Sequence, residues 1–261
     1  MKLELEKFCL FVGYARSGSS AVGSIVDAHP NAIISHEYNV LSKAHYDRQK
    51  LFGTMIERAA RLNNEGRWSG GANGEIYKHI IEGQIKKEDA VIQVIGDKKS
   101  GSATRRLQAP RRTPYPKRVE RIKRIIDALE DKTGIPCMFV HVIRNPYDII
   151  AAQKQSRIRF SFAGFRSSVK TMAITKELYP DRWLDVYHED LISHPSEEIK
   201  KVNSFLGLSL DEVHLKASIK HLKFVPKQRR YDIDWSRQLK QKVKTRIIKE
   251  YEFFNRYSFK N

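Results

Sequence analysis

The feature that most constrains the fold of this 261-residue chain is a short glycine- and serine-rich loop within Phe11–Pro30, FVGYARSGSSAVGSIVDAHP. An apolar strand that runs through such a loop into an amphipathic helix has the layout of a phosphate-binding loop, in which backbone N–H groups point at an anion. The lysine of the G-x-x-x-x-G-K-[ST] pattern is absent. The loop therefore predicts an anion site that is not built for a triphosphate, and a plain turn with a serine N-cap is the alternative. The candidate anion ligands are Arg16, Ser17, Gly18, Ser19 and Ser20.

Apolar runs and helical patterns alternate along the rest of the chain. The predicted strands are Phe8–Gly13, Ala32–Ser35, Ala90–Asp97, Cys137–Arg144 and Trp183–Glu189. The predicted helices are Ser19–Ala28, Leu41–Leu62, Lys117–Lys132, Pro146–Gln155, Ser167–Leu178 and Ser196–Leu206. This alternation predicts one α/β domain over residues 1–261, with three layers: a central parallel sheet of about four to five strands and helices on both faces. Ligands of such sheets bind outside the carboxyl ends of the strands.

A second strand end also suits an anion. The run VHVIRNPYDII places Arg144 after an apolar strand, and Pro146 is typical of the first turn of a helix. Arg144 is expected at the same edge of the sheet as the glycine-rich loop. A simple ion pair between Arg144 and Asp148 is the alternative.

The two strand ends together resemble the sulfotransferase family that uses 3′-phosphoadenosine 5′-phosphosulfate. In that family a P-[KR]-S-G-[TS]-[TS] loop holds the phosphosulfate and an R-N-P-x-D helix start holds the 3′-phosphate; this chain has ARSGSS and RNPYD. The segment VDAHPNAIISHE is similar to bacterial and tyrosylprotein-type members, while YHEDLISHP and VPKQRRYDIDW match more loosely. The resemblance spans about residues 8–235. It implies a fold like that of P-loop NTPases and this nucleotide as cofactor, with no metal required.

The resemblance also implies cofactor contacts outside the loop. It assigns Arg144 to the 3′-phosphate, Arg229 and Arg230 to a basic loop that closes over the nucleotide, and His188 to the position of a tyrosine that touches adenine. The chain departs from the family pattern at Ala152, where a serine or threonine usually contacts the 3′-phosphate. Gln153 or the two arginines are alternatives for that contact. The proline of the usual loop is replaced by Ala15.

The catalytic base is predicted at the end of the second strand, in ISHEYN. His36 and Glu37 are adjacent, so their side chains point to opposite sides of an extended segment and only one is expected to face the site. The resemblance favours Glu37, because the glutamate of tyrosylprotein-type members also follows the His-Pro turn. His36 is the second candidate and Asp97 the third. Lys98 resembles the lysine that meets the bridging oxygen in those members, and a surface lysine is its alternative.

The net charge of +18 predicts an anionic partner. Residues 98–124 contain eleven basic residues and one acidic residue, and this composition predicts a mobile basic insert at about 98–118. The expected acceptor is a small molecule or an anionic polymer. The competing hypothesis is a nucleic-acid-binding or nucleotide-kinase-like P-loop protein that uses this basic segment. The missing P-loop lysine disfavours the kinase.

The two cysteines and the apolar runs of the chain bear on its redox state and its location. Cys9 and Cys137 each lie in an apolar run, which predicts two reduced core residues and not a disulfide or a metal site. No run approaches the roughly 20 apolar residues that cross a bilayer. The start of the chain lacks the apolar run of a signal peptide, and we expect a cytoplasmic protein.

Overall fold

The computed structural model describes residues 1–43, 45–65, 68–69, 76–77, 89–156, 160–222 and 227–260. The strands are β1 (Lys2–Gly13), β2 (Ala32–His36), β3 (Trp68–Ser69), β4 (Ile76–Tyr77), β5 (Val91–Lys98), β6 (Cys137–Ile143) and β7 (Trp183–Tyr187). The α-helices are α1 (Ser19–Ala28), α2 (Arg48–Glu65), α3 (Ser100–Leu107), α4 (Tyr115–Thr133), α5 (Pro146–Gln155), α6 (Phe162–Leu178), α7 (His188–Ser193), α8 (Pro195–Leu206), α9 (Glu212–His221) and α10 (Arg237–Val243).

Five parallel strands form the central sheet, in the order β2-β5-β1-β6-β7. The central strand β1 pairs with β5 and β6, and Cys9 lies opposite Gly96 on one side and Met138 on the other. Parallel strands require crossover connections, and helices supply them here. The two short strands β3 and β4 form a separate antiparallel pair. The predicted α/β fold with a parallel sheet of about five strands is confirmed.

Both faces of the sheet are covered by apolar side chains. Alternate residues of β1 point to opposite faces: Phe8, Leu10 and Val12 belong to one buried cluster, and Cys9 and Phe11 belong to the other. The first cluster includes residues of α2, α3, α4 and α6, and the second includes residues of α1, α8 and α9. This division into two clusters explains why the strands read as continuous apolar runs, since both of their faces are buried.

The basic segment differs from its prediction. Residues Ser100–Leu107 form helix α3, which buries Ala103, Thr104 and Leu107 against the sheet. The loop that follows is held by Arg118, which is 5% exposed and donates to the carbonyls of Pro110, Arg111 and Thr113. This segment therefore contains a packed helix where the sequence predicts a loop, because a few apolar side chains at helical spacing pack even where charge dominates the composition. Its mobility stays a prediction.

Two further sequence predictions concern the cysteines and the membrane. Cys9 and Cys137 are both buried and unbonded to each other, as predicted. Burial raises the pKa of both thiols well above the usual value, which keeps them in the protonated form. Among the helices of the described ranges, none is both long enough and apolar enough to cross a membrane.

Candidate active site

The glycine-rich loop takes a tight path from β1 into α1. Gly13, Arg16 and Gly18 have positive φ angles of 124°, 73° and 96°. The backbone N–H of Gly13 donates to the Thr104 hydroxyl at 2.8 Å, which fixes the start of the loop on α3. Gly18 stands at the N-cap of α1 and has no side chain to bond the first-turn N–H groups. Those donors lie at the positive end of the helix, where the sequence predicts an anion site, and the bound anion stays a prediction.

Two buried polar atoms mark the inner side of this loop. Ser17 is 0% exposed, and its hydroxyl has no hydrogen-bond partner among the described residues. Nδ1 of His188 likewise has no hydrogen-bond partner among the described residues. The His188 ring lies against Gly18, where a Cβ would be 2.5 Å from this nitrogen. Burial and the nearby charge of Arg144 lower the pKa of His188 to about 3, so the imidazole is neutral at pH 7. Buried polar atoms normally have a partner, and a bound anion would supply one.

Arg144 lies at the carboxyl end of β6, as predicted. It is 8% exposed, and its guanidinium donates to the carbonyl of Lys227 in the C-terminal segment, residues 227–260. The predicted alternative, a direct ion pair with Asp148, is not the arrangement that forms: Asp148 instead pairs with Arg230 at 2.7 Å. Burial lowers the pKa of Arg144, while Asp148 and Glu189 favour its charged form.

The two arginines of the C-terminal segment have different environments. Arg230 is 3% exposed, and both its backbone N–H and its guanidinium bond the carboxylate of Asp148. Arg229 is half-buried and donates to the side chain of Gln155 at 3.1 Å. Arg230 therefore fixes the segment to α5, whereas Arg229 contacts Gln155, the last residue of that helix. Their roles toward a nucleotide stay predictions.

Ala152 and Gln153 lie on the buried face of α5. The hydroxyl that the family pattern expects at position 152 is replaced by a methyl group that is 5% exposed. The Gln153 side chain donates to the carbonyl of Ala15 at 2.9 Å and so joins α5 to the glycine-rich loop. Gln153 thus links the two predicted anion sites through the loop backbone, and whether it contacts a phosphate stays a prediction.

Glu37 and Lys98 meet because β2 and β5 are neighbours and end together. The Lys98 ammonium lies 2.6 Å from Glu37 Oε1 and donates to the Ser20 hydroxyl at 2.9 Å. Lys98 is 3% exposed, and its stem lies beneath α1, where a Cβ at Gly23 would approach Lys98 Cγ to 2.7 Å. A row of three polar groups therefore joins the start of α1 to a carboxylate at the sheet edge.

The backbone conformation of Glu37 is consistent with the hypothesis that this residue has a functional role. Its φ is 59°, an uncommon conformation for a residue with a side chain, and such residues are enriched at functional sites. Lys99 adds a second cation, with its ammonium 3.7 Å from Glu37 Oε2 and 3.3 Å from the Glu37 carbonyl. Lys99 is not among the predicted site residues, although the paired lysines of GDKKS after a strand were a signal for it.

The other two candidate bases, His36 and Asp97, are more buried than Glu37. His36 is 7% exposed and lies beneath α1, with its ring 3.4 Å from the Cβ position of Gly23, while the side chain of Glu37 is 25% exposed. Asp97 is 1% exposed, and its two carboxylate oxygens accept from the backbone N–H groups of Tyr38 and Val40 at 3.1 and 2.8 Å. Asp97 therefore anchors the loop that carries Glu37.

The buried Asp97 makes stability depend on pH. Burial raises its pKa to about 6, although hydrogen bonds from Val40 and Tyr38 oppose the shift. Its pKa in the unfolded chain is about 3.9. The folded state thus binds more protons between these values, and Asp97 should lower the free energy of unfolding by about 2–3 kcal/mol as pH rises from about 4 to about 7, most of it below pH 6.

We expect chemical denaturation at several pH values to show this fall as a difference from Asp97→Asn, both for wild type and for Asp89→Asn, an exposed control. Asp97→Asn should lack it, because the amide does not titrate. A wild-type curve parallel to that of Asp97→Asn between pH 4 and 6 would contradict the assignment.

In the part of the chain that the structure describes, no group of three or more His, Cys, Asp or Glu side chains is arranged to hold a metal ion.

The comparisons with known proteins agree with this architecture. The sequence profile of the sulfotransferase family matches residues 10–212. Among curated proteins, none matches the chain.

Similar solved structures come from several bacteria. Sulfotransferase STF9 from Mycobacterium avium has 10% identity and a TM-score of 0.50, with 95% of this chain and 77% of that chain covered. The sulfotransferase domain of the Synechococcus PCC 7002 olefin synthase has 15% identity and a TM-score of 0.47, covering 92% and 84%. A sulfotransferase from Alicyclobacillus acidocaldarius has 14% identity and a TM-score of 0.46, covering 95% and 93%. At 10% identity the likeness to STF9 bears on the fold alone. Since the family profile spans more than half of the chain, the protein belongs to the sulfotransferase family.

Proposed function

We propose that this protein transfers a sulfuryl group from 3′-phosphoadenosine 5′-phosphosulfate to a hydroxyl or amine of its acceptor, with no metal required. The observation that carries the proposal is the row Ser20–Lys98–Glu37, in which a carboxylate and a buried cation lie beside the positive end of α1. Family membership supports the same reaction class.

The residues of the two strand ends suit the two ends of this nucleotide. At the first end, the α1 N-terminus has no side-chain cap and the Ser17 hydroxyl is buried without a partner among the described residues, as suits a phosphosulfate site. At the second end, the buried guanidinium of Arg144 suits a phosphate, because arginine forms paired charge-assisted hydrogen bonds. His188 lies between them, against Gly18 and near Arg144. The residues that would hold the nucleotide are Arg16, Ser17, Gly18, Ser19, Ser20, Arg144, His188 and Arg229, while Arg230 would order the segment above them.

The chemistry follows from the charges around Glu37. When bound, the phosphosulfate supplies the sulfuryl group and a phosphate as leaving group. Glu37 acts as general base and takes the proton of the acceptor. Lys98 holds this carboxylate at 2.6 Å and stabilises the negative charge that develops at the start of α1. A sulfuryl group carries about one negative charge, less than a phosphoryl group, so cationic side chains and N–H donors suffice.

Ligand-induced stabilisation tests the proposal directly. At about 100 times its Kd, adenosine 3′,5′-bisphosphate should raise the melting temperature by about 5–10 °C. ATP should give a smaller shift, because it lacks the 3′-phosphate. A single-stranded oligonucleotide serves as the third arm, since the basic segment could bind nucleic acid. No shift with the bisphosphate together with a large shift with the oligonucleotide would overturn the proposal in favour of the nucleic-acid-binding alternative.

A further inference from the structure

A cavity of about 270 Å³ adjoins the glycine-rich loop on the side of α3, α5 and α6. Its lining includes Ala15, Gly101, Arg105, Gln108, Gly164 and Phe165. This volume lies just below the range of about 300–1,000 Å³ that is usual for drug-sized ligands. The cavity therefore suits a small molecule.

The cavity lies at the same end of the sheet as the candidate base. Helix α3 begins directly after Lys98 and Lys99, and its first turn lies against the loop: a Cβ at Gly101 would be 3.3 Å from the Ala15 backbone nitrogen. Both Gly101 and Ala15 line the cavity. A small molecule there would lie beside Arg16 and within one helical turn of the residue that pairs with Glu37.

The lining has one charged side chain, Arg105, and no carboxylate. Among the described residues Arg105 donates to the Ser102 hydroxyl at 3.1 Å and forms no ion pair. Ser161, the N-cap of α6, and Gly164, in the first turn of that helix, also line the cavity. The first turn contains no acidic residue, so the positive end of the helix adds to the charge of Arg105.

The remaining lining provides an apolar wall and neutral hydrogen-bonding groups. Phe165 is 5% exposed and packs on Tyr14, with 5.1 Å between ring centroids. The Gln108 side chain donates to the Ser168 hydroxyl at 2.7 Å. Neutral donors and acceptors around a lone cation favour a ligand that brings its own negative charge.

We infer that this cavity binds the acceptor and that Arg105 selects small acceptors carrying an anionic group, such as a carboxylate or a phosphate, next to the hydroxyl that is sulfated. This inference rests on the proposed function. It narrows the expected acceptor from any small molecule or anionic polymer to a small anionic one.

Matched acceptor pairs test the selectivity. We expect wild type to prefer 4-hydroxyphenylacetate over 4-ethylphenol, and glycerol 3-phosphate over propane-1,2-diol, whichever pair it accepts. In Arg105→Gln, kcat/KM for the anionic member should fall at least about tenfold, while that for the neutral member changes less than about threefold. The control is Arg106→Gln, which removes the same charge from the next residue of α3, outside the lining. Which pair responds identifies a carboxylate or a phosphate.

A second variant tests the cavity sterically. A Cβ at Gly164 would meet nothing closer than Ser161 Cβ at 3.6 Å, so Gly164→Leu should fold and fill part of the cavity. Transfer to both members of a pair should then fall at least about tenfold, while the bisphosphate-induced shift in melting temperature is retained.

The outcomes separate this inference from the proposed function. Absence of any bisphosphate shift in wild type would overturn the proposed function itself. A retained shift with no transfer to either anionic acceptor, with equal use of anionic and neutral acceptors, or with equal losses in Arg105→Gln and Arg106→Gln would overturn the role of Arg105. Unchanged transfer in Gly164→Leu would place the acceptor elsewhere.

Discussion

Replacing Glu37 by glutamine should reduce sulfuryl transfer by about a hundredfold or more, the usual scale for loss of a general base. The amide oxygen of glutamine still accepts from Lys98, which now lies 2.6 Å from the carboxylate, so the loop should keep its position. Bisphosphate affinity should therefore remain within about threefold of wild type. Steady-state transfer from labelled cofactor, together with calorimetric titration of the bisphosphate, measures both quantities.

Two comparison variants give this prediction its control. Glu57→Gln removes an exposed carboxylate of α2 and should leave transfer unchanged. His36→Gln tests the adjacent candidate, whose ring lies beneath α1. Full activity in Glu37→Gln combined with a loss in His36→Gln would move the role of base to the histidine. A similar fall in bisphosphate affinity and in turnover would instead assign Glu37 to cofactor binding.

The fold was largely predictable because strand and helix signals are local. Ser19–Ala28 and Pro146–Gln155 match the predicted helices residue for residue, since Gly18 and Pro146 mark their starts. The predicted start of α6 at Ser167 was five residues late, because Ser161 caps the helix and accepts from Gly164 N. The predicted start of α2 at Leu41 was seven residues early, because Val40–Ser42 forms a separate 3₁₀ turn.

Helix α3 shows where composition misleads. The excess of lysine and arginine around it is typical of a solvated loop, yet Ala103, Thr104 and Leu107 form a buried stripe at helical spacing. Thr104 is also the acceptor for the Gly13 N–H, so the helix also holds the glycine-rich loop. Only the packing against β1 reveals this contact, since 91 residues separate the two groups.

Predicting the candidate site requires the order of the strands in the sheet as well as the identity of the residues. The sequence predicts Glu37 and Lys98 as separate candidates, each directly at the end of a strand. Their contact follows from the sheet order, in which β2 lies beside β5 and His36 is in register with Lys98. The bond between Gln153 and the Ala15 carbonyl joins elements that lie 138 residues apart, and no local pattern predicts it.

Replacing Arg144 by alanine should weaken binding of adenosine 3′,5′-bisphosphate by roughly ten- to a hundredfold, because it removes a charge-assisted hydrogen-bonding group. The effect should depend on the 3′-phosphate. AMP lacks that phosphate, so its weaker binding should change less than about threefold. Calorimetric titration of wild type and Arg144→Ala with both nucleotides gives the four affinities that are needed.

The ratio of the two nucleotide affinities protects this test from an indirect structural effect. Arg144 is 8% exposed and bonds the Lys227 carbonyl, so its loss also loosens the C-terminal segment. A loosened segment should weaken AMP and bisphosphate alike, whereas loss of a phosphate ligand weakens the bisphosphate selectively. Arg112→Ala, which removes an exposed arginine between α3 and α4, controls for net charge and should change neither affinity by more than about twofold. Equal losses for both nucleotides in Arg144→Ala would place the 3′-phosphate elsewhere and leave Arg229 as the next residue to test.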